Sequence, residues 1–176
     1  FSKKMNELKA AYRSLSERVA TPTAPQLEVY PEYYSSWLFM AIHSALEVGS
    51  YSTPEALAKR FGRSQETIEH ALRALDRMGL AKARAGIWKA NRVDRHLPAK
   101  NFMNSVSHRN WGDRALLDID RQTPDSLHYT SVFSMSRVES EALRTRILEW
   151  IEGARELIKP SPSEEVYCML CDFFEV

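Results

Sequence analysis

The stretch "LAKRFGRSQETIEHALRALDRMGL", residues 57 to 80, restricts the fold more than any other part of the chain. Ile68, Leu72, Leu75 and Met78 recur at spacings of three and four, the period of a helix with one buried face. Gly62 ends one helical segment, because glycine enters the left-handed region without a steric cost. Ser64 opens the next, since its hydroxyl satisfies an orphan N–H of the first turn. Gly79 supplies a second left-handed position at the far end. Upstream, "STPEALAKRFG" (52 to 62) sets Ser52 three residues before Glu55, a capping-box spacing, with Pro54 in the first turn. Its apolar residues are Ala56, Leu57 and Phe61. Two short helices around a tight turn are therefore expected.

The neighbouring segments extend this into an architecture. "LAKARAGIWKA" (80 to 90) flanks Arg84-Ala85-Gly86 with apolar Leu80, Ile87 and Trp88, which predicts a hairpin. "EYYSSWLFMAIHSALEV" (32 to 48) is apolar on most sides and predicts one buried helix ending at Gly49. Helix, short helix, turn, helix, hairpin is the order of a winged helix-turn-helix, here over residues 32–100. Before it, Met5, Leu8, Tyr12, Leu15 and Val19 form a helical stripe within residues 1–20, too short for a coiled coil, which either packs on its own domain or serves as a dimer arm; residues 128–176 are the other candidate dimer surface. "TPTAPQLEVYP" (21 to 31) separates the two and breaks the helix with three prolines.

Residues 101–176 differ in kind. A helix is expected over 101–120, and a strand over 128–136, rich in Tyr, Thr, Val and Phe. Ser136 with Glu139 caps a further helix whose inward face is Leu143, Ile147, Trp150, Ile151, Ala154, Leu157 and Ile158, ended by Lys159-Pro160. A second strand is expected over 165–174. The fold class is α+β, mainly helical: a winged helix-turn-helix followed by a small α/β C-terminal unit.

Charge is nearly balanced over the whole chain, at +1, but not along it. Residues 82–100 carry Lys82, Arg84, Lys89, Arg92, Arg95 and Lys100 against Asp94, a local balance of +5. Residues 137–176 carry five basic and nine acidic side chains, a balance of −4. A polyanion partner for the middle of the chain, and not for its end, accounts for that asymmetry; two solvated faces of different charge are the plainer explanation. No apolar run approaches the roughly 18 residues of a membrane span, and no basic, then apolar, secretion signal is visible. Two cysteines in a chain able to fold on its own core fit a reducing cytoplasm. The first residue is Phe1 rather than Met, which is compatible with a missing N-terminal piece.

Catalytic chemistry finds little support. Cys168-Met-Leu-Cys171 lacks the further ligands of a zinc site. In a strand its two thiols point to opposite faces, so buried hydrophobes are the expectation. His43, His70, His96, His108 and His128 form no metal-ligand spacing, and the six glycines build no phosphate loop. Neither enzyme activity nor a cofactor or metal is expected.

The chain resembles a family of predicted bacterial transcriptional regulators whose C-terminal part is a domain of unknown function. The residues that carry the likeness are "YYSSW" (33 to 37), "LAKRFG…ALRALDRMGL" within 57–80, "HYTS" (128 to 131) and "VY…F" within 166–174. The likeness covers nearly the whole chain and includes no catalytic motif. It implies an intracellular regulator without a settled activity to transfer.

Docking of a helix-turn-helix brings the N-terminal residues of its second helix to base edges in the major groove. With Ile68, Leu72 and Leu75 inward, the outward residues are Gln65, Glu66, Glu69, His70, Arg73 and Arg77. Gln65 suits adenine, and Arg73 suits guanine or a phosphate. Glu66 is stabilised by the helix dipole, by about 0.3–1 kcal/mol, wherever the helix is used. Glu69 has no such explanation and weakens the case for DNA without ending it, since a glutamate can accept a hydrogen bond from cytosine N4. Duplex DNA contact is assigned to Arg63, Ser64, Gln65, Thr67, Arg73, Lys82, Arg84, Lys89 and Arg92, with a homodimer as the assembly. The alternative is a winged-helix interaction or dimerisation module without DNA, as in the N-terminal parts of some small-molecule methyltransferases.

Overall fold

The computed structural model describes residues 30–91 and 102–176. Its elements are α1 (Pro31–Ser35), α2 (Trp37–Ala45), a 3-10 turn (Gly49–Tyr51), α3 (Pro54–Phe61), α4 (Gln65–Arg77), β1 (Ala81–Arg84), β2 (Ile87–Ala90), α5 (Met103–Arg121) and α6 (Arg137–Ile158). The fold is α+β and mainly helical, with one two-stranded antiparallel sheet among the described residues. The N-terminal stripe of residues 5–19 lies outside them.

Helix α4 is the centre of the core. Ile68, Leu72 and Leu75 are fully buried, while Glu66, His70 and Arg73 on the opposite face are exposed. The buried face packs on α2, α3 and β1. Tyr33 and Tyr34 of α1 meet edge to face with ring centroids 5.0 Å apart, and α5 closes over α1 and α2, with Met103 in the core. Asn110 donates from Nδ2 to the Tyr34 carbonyl at 3.1 Å, fixing α5 against α1.

Two expectations about helix ends are corrected. The apolar run 32–48 is two helices, because Ser36 is extended (φ −142, ψ 138) and its Oγ caps α2 by accepting from Leu38 N–H at 3.3 Å. A serine hydroxyl that captures a local N–H competes with the helical backbone, and here it wins. Helix α3 is capped by Thr53, whose Oγ1 accepts from Ala56 N–H at 3.3 Å, and not by Ser52. The Ser52 carbonyl instead accepts from Trp88 N–H at 2.8 Å, extending the ladder of β2 by one bond.

Larger corrections fall in residues 102–176. Segments 128–136 and 165–174 are not paired into a sheet, so the expected α/β unit contains only helices among its ordered elements. High strand propensity describes fit to a pleated neighbour, and no neighbouring strand is present among the described residues. Helix α6 begins as expected, Ser136 Oγ accepting from Glu139 N–H at 3.2 Å and donating to Glu139 Oε2 at 2.6 Å. Its expected inward face is only partly covered: Leu143, Ile147, Ile151 and Ala154 are half-buried, Trp150, Leu157 and Ile158 are exposed, and no residue of the helix is fully buried. Cys168 and Cys171 are also exposed rather than buried, although desolvation pushes the Cys168 thiol pKa up.

The end of α5 is tied by Asp118. Its carboxylate accepts from Thr123 Oγ1 at 2.6 Å and from His128 Nε2 at 3.0 Å. Hydrogen bonds from Thr123, Ser126 and His128 lower its pKa to about 2. A depressed carboxyl contributes stability above its ordinary value, near 3.9, and that contribution is lost as pH falls towards 2. Asp118→Asn should therefore flatten this acid limb of the stability curve, as followed by helical circular dichroism between pH 5 and 2. An unchanged limb would show that the Asp118 bonds do not survive in solution.

Candidate nucleic-acid interface

The turn between α3 and α4 is built as its sequence suggests. Gly62 takes the left-handed conformation (φ 60, ψ 43) that ends α3. Ser64 caps α4, its Oγ accepting from Thr67 N–H at 3.2 Å and lying 2.8 Å from Thr67 Oγ1. Ser64 and Thr67 thus spend their hydroxyls on one another and on the helix end.

Along the exposed face of α4, Glu69 is engaged within the protein. Gln65 Nε2 donates to Glu55 Oε1 at 3.2 Å and to Glu69 Oε1 at 3.0 Å. Glu69 Oε2 accepts from Arg73 Nη1 at 3.5 Å, one helical turn on. Glu69 therefore joins the two side chains expected to read bases into one network. An exposed pair of this kind is worth little, about 0.3–0.5 kcal/mol, and dissolves readily before a stronger partner. Glu66 stays exposed in the first turn.

The hairpin concentrates positive charge. Its register pairs Ala81 with Ala90, Lys82 with Lys89, Ala83 with Trp88 and Arg84 with Ile87. Side chains alternate along a strand, so Lys82, Arg84 and Lys89 share one face. The other face carries buried Ala81 and half-buried Trp88 and Ala90, directed at the core. Lys82 directly opposite Lys89 is a like-charge pair, unfavourable to the hairpin by itself. The turn is Ala85-Gly86 with φ 50 and 79, a two-residue connection in which both residues are left-handed. Asn91 closes the foot of the hairpin, its N–H donating to the Leu80 carbonyl at 2.8 Å and its Nδ2 to the Gly79 carbonyl at 2.7 Å.

A third basic group was not legible from local sequence. Trp37, at the start of α2, has the Arg63 guanidinium 5.6 Å and the Arg114 guanidinium 5.2 Å from its ring centroid. Phe61 and Trp111 pack edge to face on the same indole, at 6.0 and 6.3 Å. Arg114 comes from α5, so only the tertiary packing of α5 brings it beside the turn. Among the described residues neither Arg63 nor Arg114 has a carboxylate within ion-pair distance. Arg60 differs: Glu165 accepts from its Nε at 3.0 Å and from its Nη2 at 2.9 Å, and from Tyr51 Oη at 2.9 Å. Burial pushes the Glu165 carboxyl up, but donation by Val166 N–H, Tyr51 and Arg60 outweighs it and holds the pKa low.

Ser64, Gln65, Thr67 and Arg73 thus lie along α4, Lys82, Arg84 and Lys89 on the hairpin, and Arg63 on Trp37. No hydrogen bond or ion pair among the described residues joins the helix set to the hairpin set. Arg92 lies outside the described residues. Behind α2, an open cleft of about 470 Å3 is lined by Met40, Ser44, Ser107, Trp111 and Leu170, among others.

The family model described as "Domain of unknown function (DUF4423)" matches residues 3–176. The chain belongs to this DUF4423 family. No curated protein and no solved structure matches it. The DUF4423 match runs through the helix pair, the hairpin and α6 alike, so one family description covers both the basic surface and the tail. Among the described residues of this DUF4423 chain, no helix is long and apolar enough to cross a membrane.

Proposed function

We propose that this chain is a cytoplasmic regulator of transcription that binds duplex DNA through a winged helix, as a homodimer, with the C-terminal residues sensing or assembling. The observation that carries the reading is the hairpin face on which Lys82 and Lys89 stand opposite one another beside Arg84. A like-charge pair held in register costs the free protein stability and is relieved when phosphates lie between the charges. Arg63 and Arg114, both over Trp37 and without a carboxylate partner among the described residues, add two guanidiniums beside the turn. Cross-linking of Gln65, Glu69 and Arg73 favours contact dominated by phosphates over fine discrimination between bases.

The test is fluorescence anisotropy with labelled duplex across a salt series. Binding of micromolar strength or weaker is expected at moderate salt, and Lys82→Ala with Lys89→Ala should weaken it on all sequences alike, flattening the salt slope by up to about 2. Gln65→Ala should change only discrimination between a preferred site and random DNA. No binding even at about 50 mM salt, where electrostatic affinity is greatest, removes the reading. A protein-interaction module of the same shape then takes its place, favoured by Glu69, which satisfies Gln65 and Arg73 internally.

A further inference from the structure

The last residues of the chain, with neither helix nor strand over 162–176, run as a strap across the cleft behind α2. Val166 packs on the core and Leu170 is half-buried, and both line the cleft opposite Met40, Ser107 and Trp111. A carboxylate fastens each end of the strap to a different helix. Glu165 holds Arg60 in the last turn of α3, and Asp172 Oδ1 lies 2.8 Å from His108 Nε2 on α5. Residues 164–176 carry Glu164, Glu165, Asp172 and Glu175 and no lysine or arginine. The strap is therefore polyanionic, and Glu165 ties it to a guanidinium.

That guanidinium belongs to the basic surface. It lies 5.9 Å from the Phe61 ring centroid, Phe61 packs on Trp37, and Trp37 carries Arg63 and Arg114. Three guanidiniums thus share one ladder of aromatic rings. Of the three, Arg60 alone has a carboxylate within ion-pair distance among the described residues. When a helix-turn-helix docks, the first helix of the pair crosses the sugar–phosphate backbone. Arg60 stands on that helix, here α3. Its Nε and Nη2 both reach Glu165 Oε1, at 3.0 and 2.9 Å, and a phosphate oxygen uses the same donors. The Arg60 and Glu165 side chains are 36% and 34% exposed, so a phosphate reaches the pair without the core opening. A pair that open to water is held weakly and exchanges partners readily.

We infer that residues 165–172 are an autoinhibitory strap, in which Glu165 occupies Arg60 in place of a DNA backbone phosphate. The inference rests on the DNA-binding reading and adds the regulation of that same surface. Phosphate and Glu165 exclude one another at Arg60. Duplex therefore lifts the Glu165 end of the strap, and release of that end strengthens duplex binding, because such a coupling acts equally in both directions. With the strap lifted, the aromatic ladder presents all three guanidiniums and its carboxylate is gone.

The experiment compares the full chain with Glu165→Gln and Glu164→Gln, by fluorescence anisotropy with labelled duplex at several salt concentrations. Each variant removes one negative charge, but only Glu165 is bound to Arg60. Glu165→Gln should tighten binding about fivefold or more, whereas Glu164→Gln, a screened surface charge, should stay within about twofold of the parent. The gain from Glu165→Gln should vanish when Arg60→Gln is also present. The strap itself is read without DNA. Cys171→Ser leaves Cys168, which lines the cleft, as the only thiol of the chain. Its alkylation by iodoacetamide should run faster in Glu165→Gln, and faster in the Cys171→Ser parent when duplex is added. Tyr51→Phe removes a donor to Glu165 and no charge; it should move both readouts the same way, and it replaces Glu165→Gln if that variant fails to fold. Glu165→Gln binding no tighter than Glu164→Gln, a gain that persists without Arg60, or alkylation unchanged by release of Glu165 overturns the inference alone. No binding by the parent or any variant even at about 50 mM salt removes the DNA-binding reading, and the inference with it.

Discussion

Leu72→Ala is expected to lower the free energy of unfolding by about 2–5 kcal/mol, enough to unfold much of a marginally stable domain. Leu72 is fully buried on the inner face of α4, between the equally buried Ile68 and Leu75. Removal of its branched end leaves a cavity that α2, α3 and β1, all packed on α4, cannot fill by moving one element alone. Urea denaturation followed by circular dichroism measures the loss, with Arg73→Ala as an exposed control expected within about 0.5 kcal/mol of the parent. A loss below about 1 kcal/mol for Leu72→Ala would mean that the helix pair relaxes around the gap, contrary to a core centred on α4.

His43→Ala is expected to be comparably damaging, at about 2–4 kcal/mol, for a different reason. His43 is completely buried, with Nδ1 2.9 Å from Tyr33 Oη and Nε2 3.2 Å from the Asn91 carbonyl. The carbonyl accepts only, so Nε2 carries the proton and Nδ1 accepts from the tyrosine hydroxyl. The ring therefore bridges α1 to the residue that closes the hairpin. His43→Leu keeps roughly the same volume and removes the polar bridge, which isolates a share of about 1–3 kcal/mol. Amide exchange in β1 and β2 should rise in both variants. Exchange that rises only in His43→Ala would assign the effect to volume and not to the bridge.

The features legible in the sequence are those fixed by near neighbours. Gly62, Ser64, Gly79 and the Ala85-Gly86 turn each impose a backbone state on one or two residues, and each is found where the sequence suggested. The like-charge pairing of Lys82 with Lys89 follows from that turn once its length is two residues. The features missed depend on distant or absent partners. Ser36 lies in an apolar run whose overall pattern hides the local competition of its hydroxyl. Arg114 reaches Trp37 only through the packing of α5, and Glu165 reaches Arg60 across 105 residues of chain. Segments 128–136 and 165–174 have strand composition, but composition does not supply an edge to pair with. The apolar face of α6 is half-covered at Leu143, Ile147, Ile151 and Ala154 and exposed at Trp150, Leu157 and Ile158, since periodicity identifies a face without saying how far it is covered.

The Glu165 carboxylate, shared between Arg60 and Tyr51, also has a consequence in time. At a synthesis rate of about 5–20 residues per second, the 105 residues between Arg60 and Glu165 take roughly 5–20 s to make. Once Arg77 has been made, and until Glu165 follows, the nascent chain contains the residues of α3, the turn and α4 with Arg60 still without its carboxylate. The helix pair leaves the ribosome with the Arg60 guanidinium not yet compensated by the Glu165 carboxylate. Any truncated product that stops before residue 165 keeps that guanidinium uncompensated.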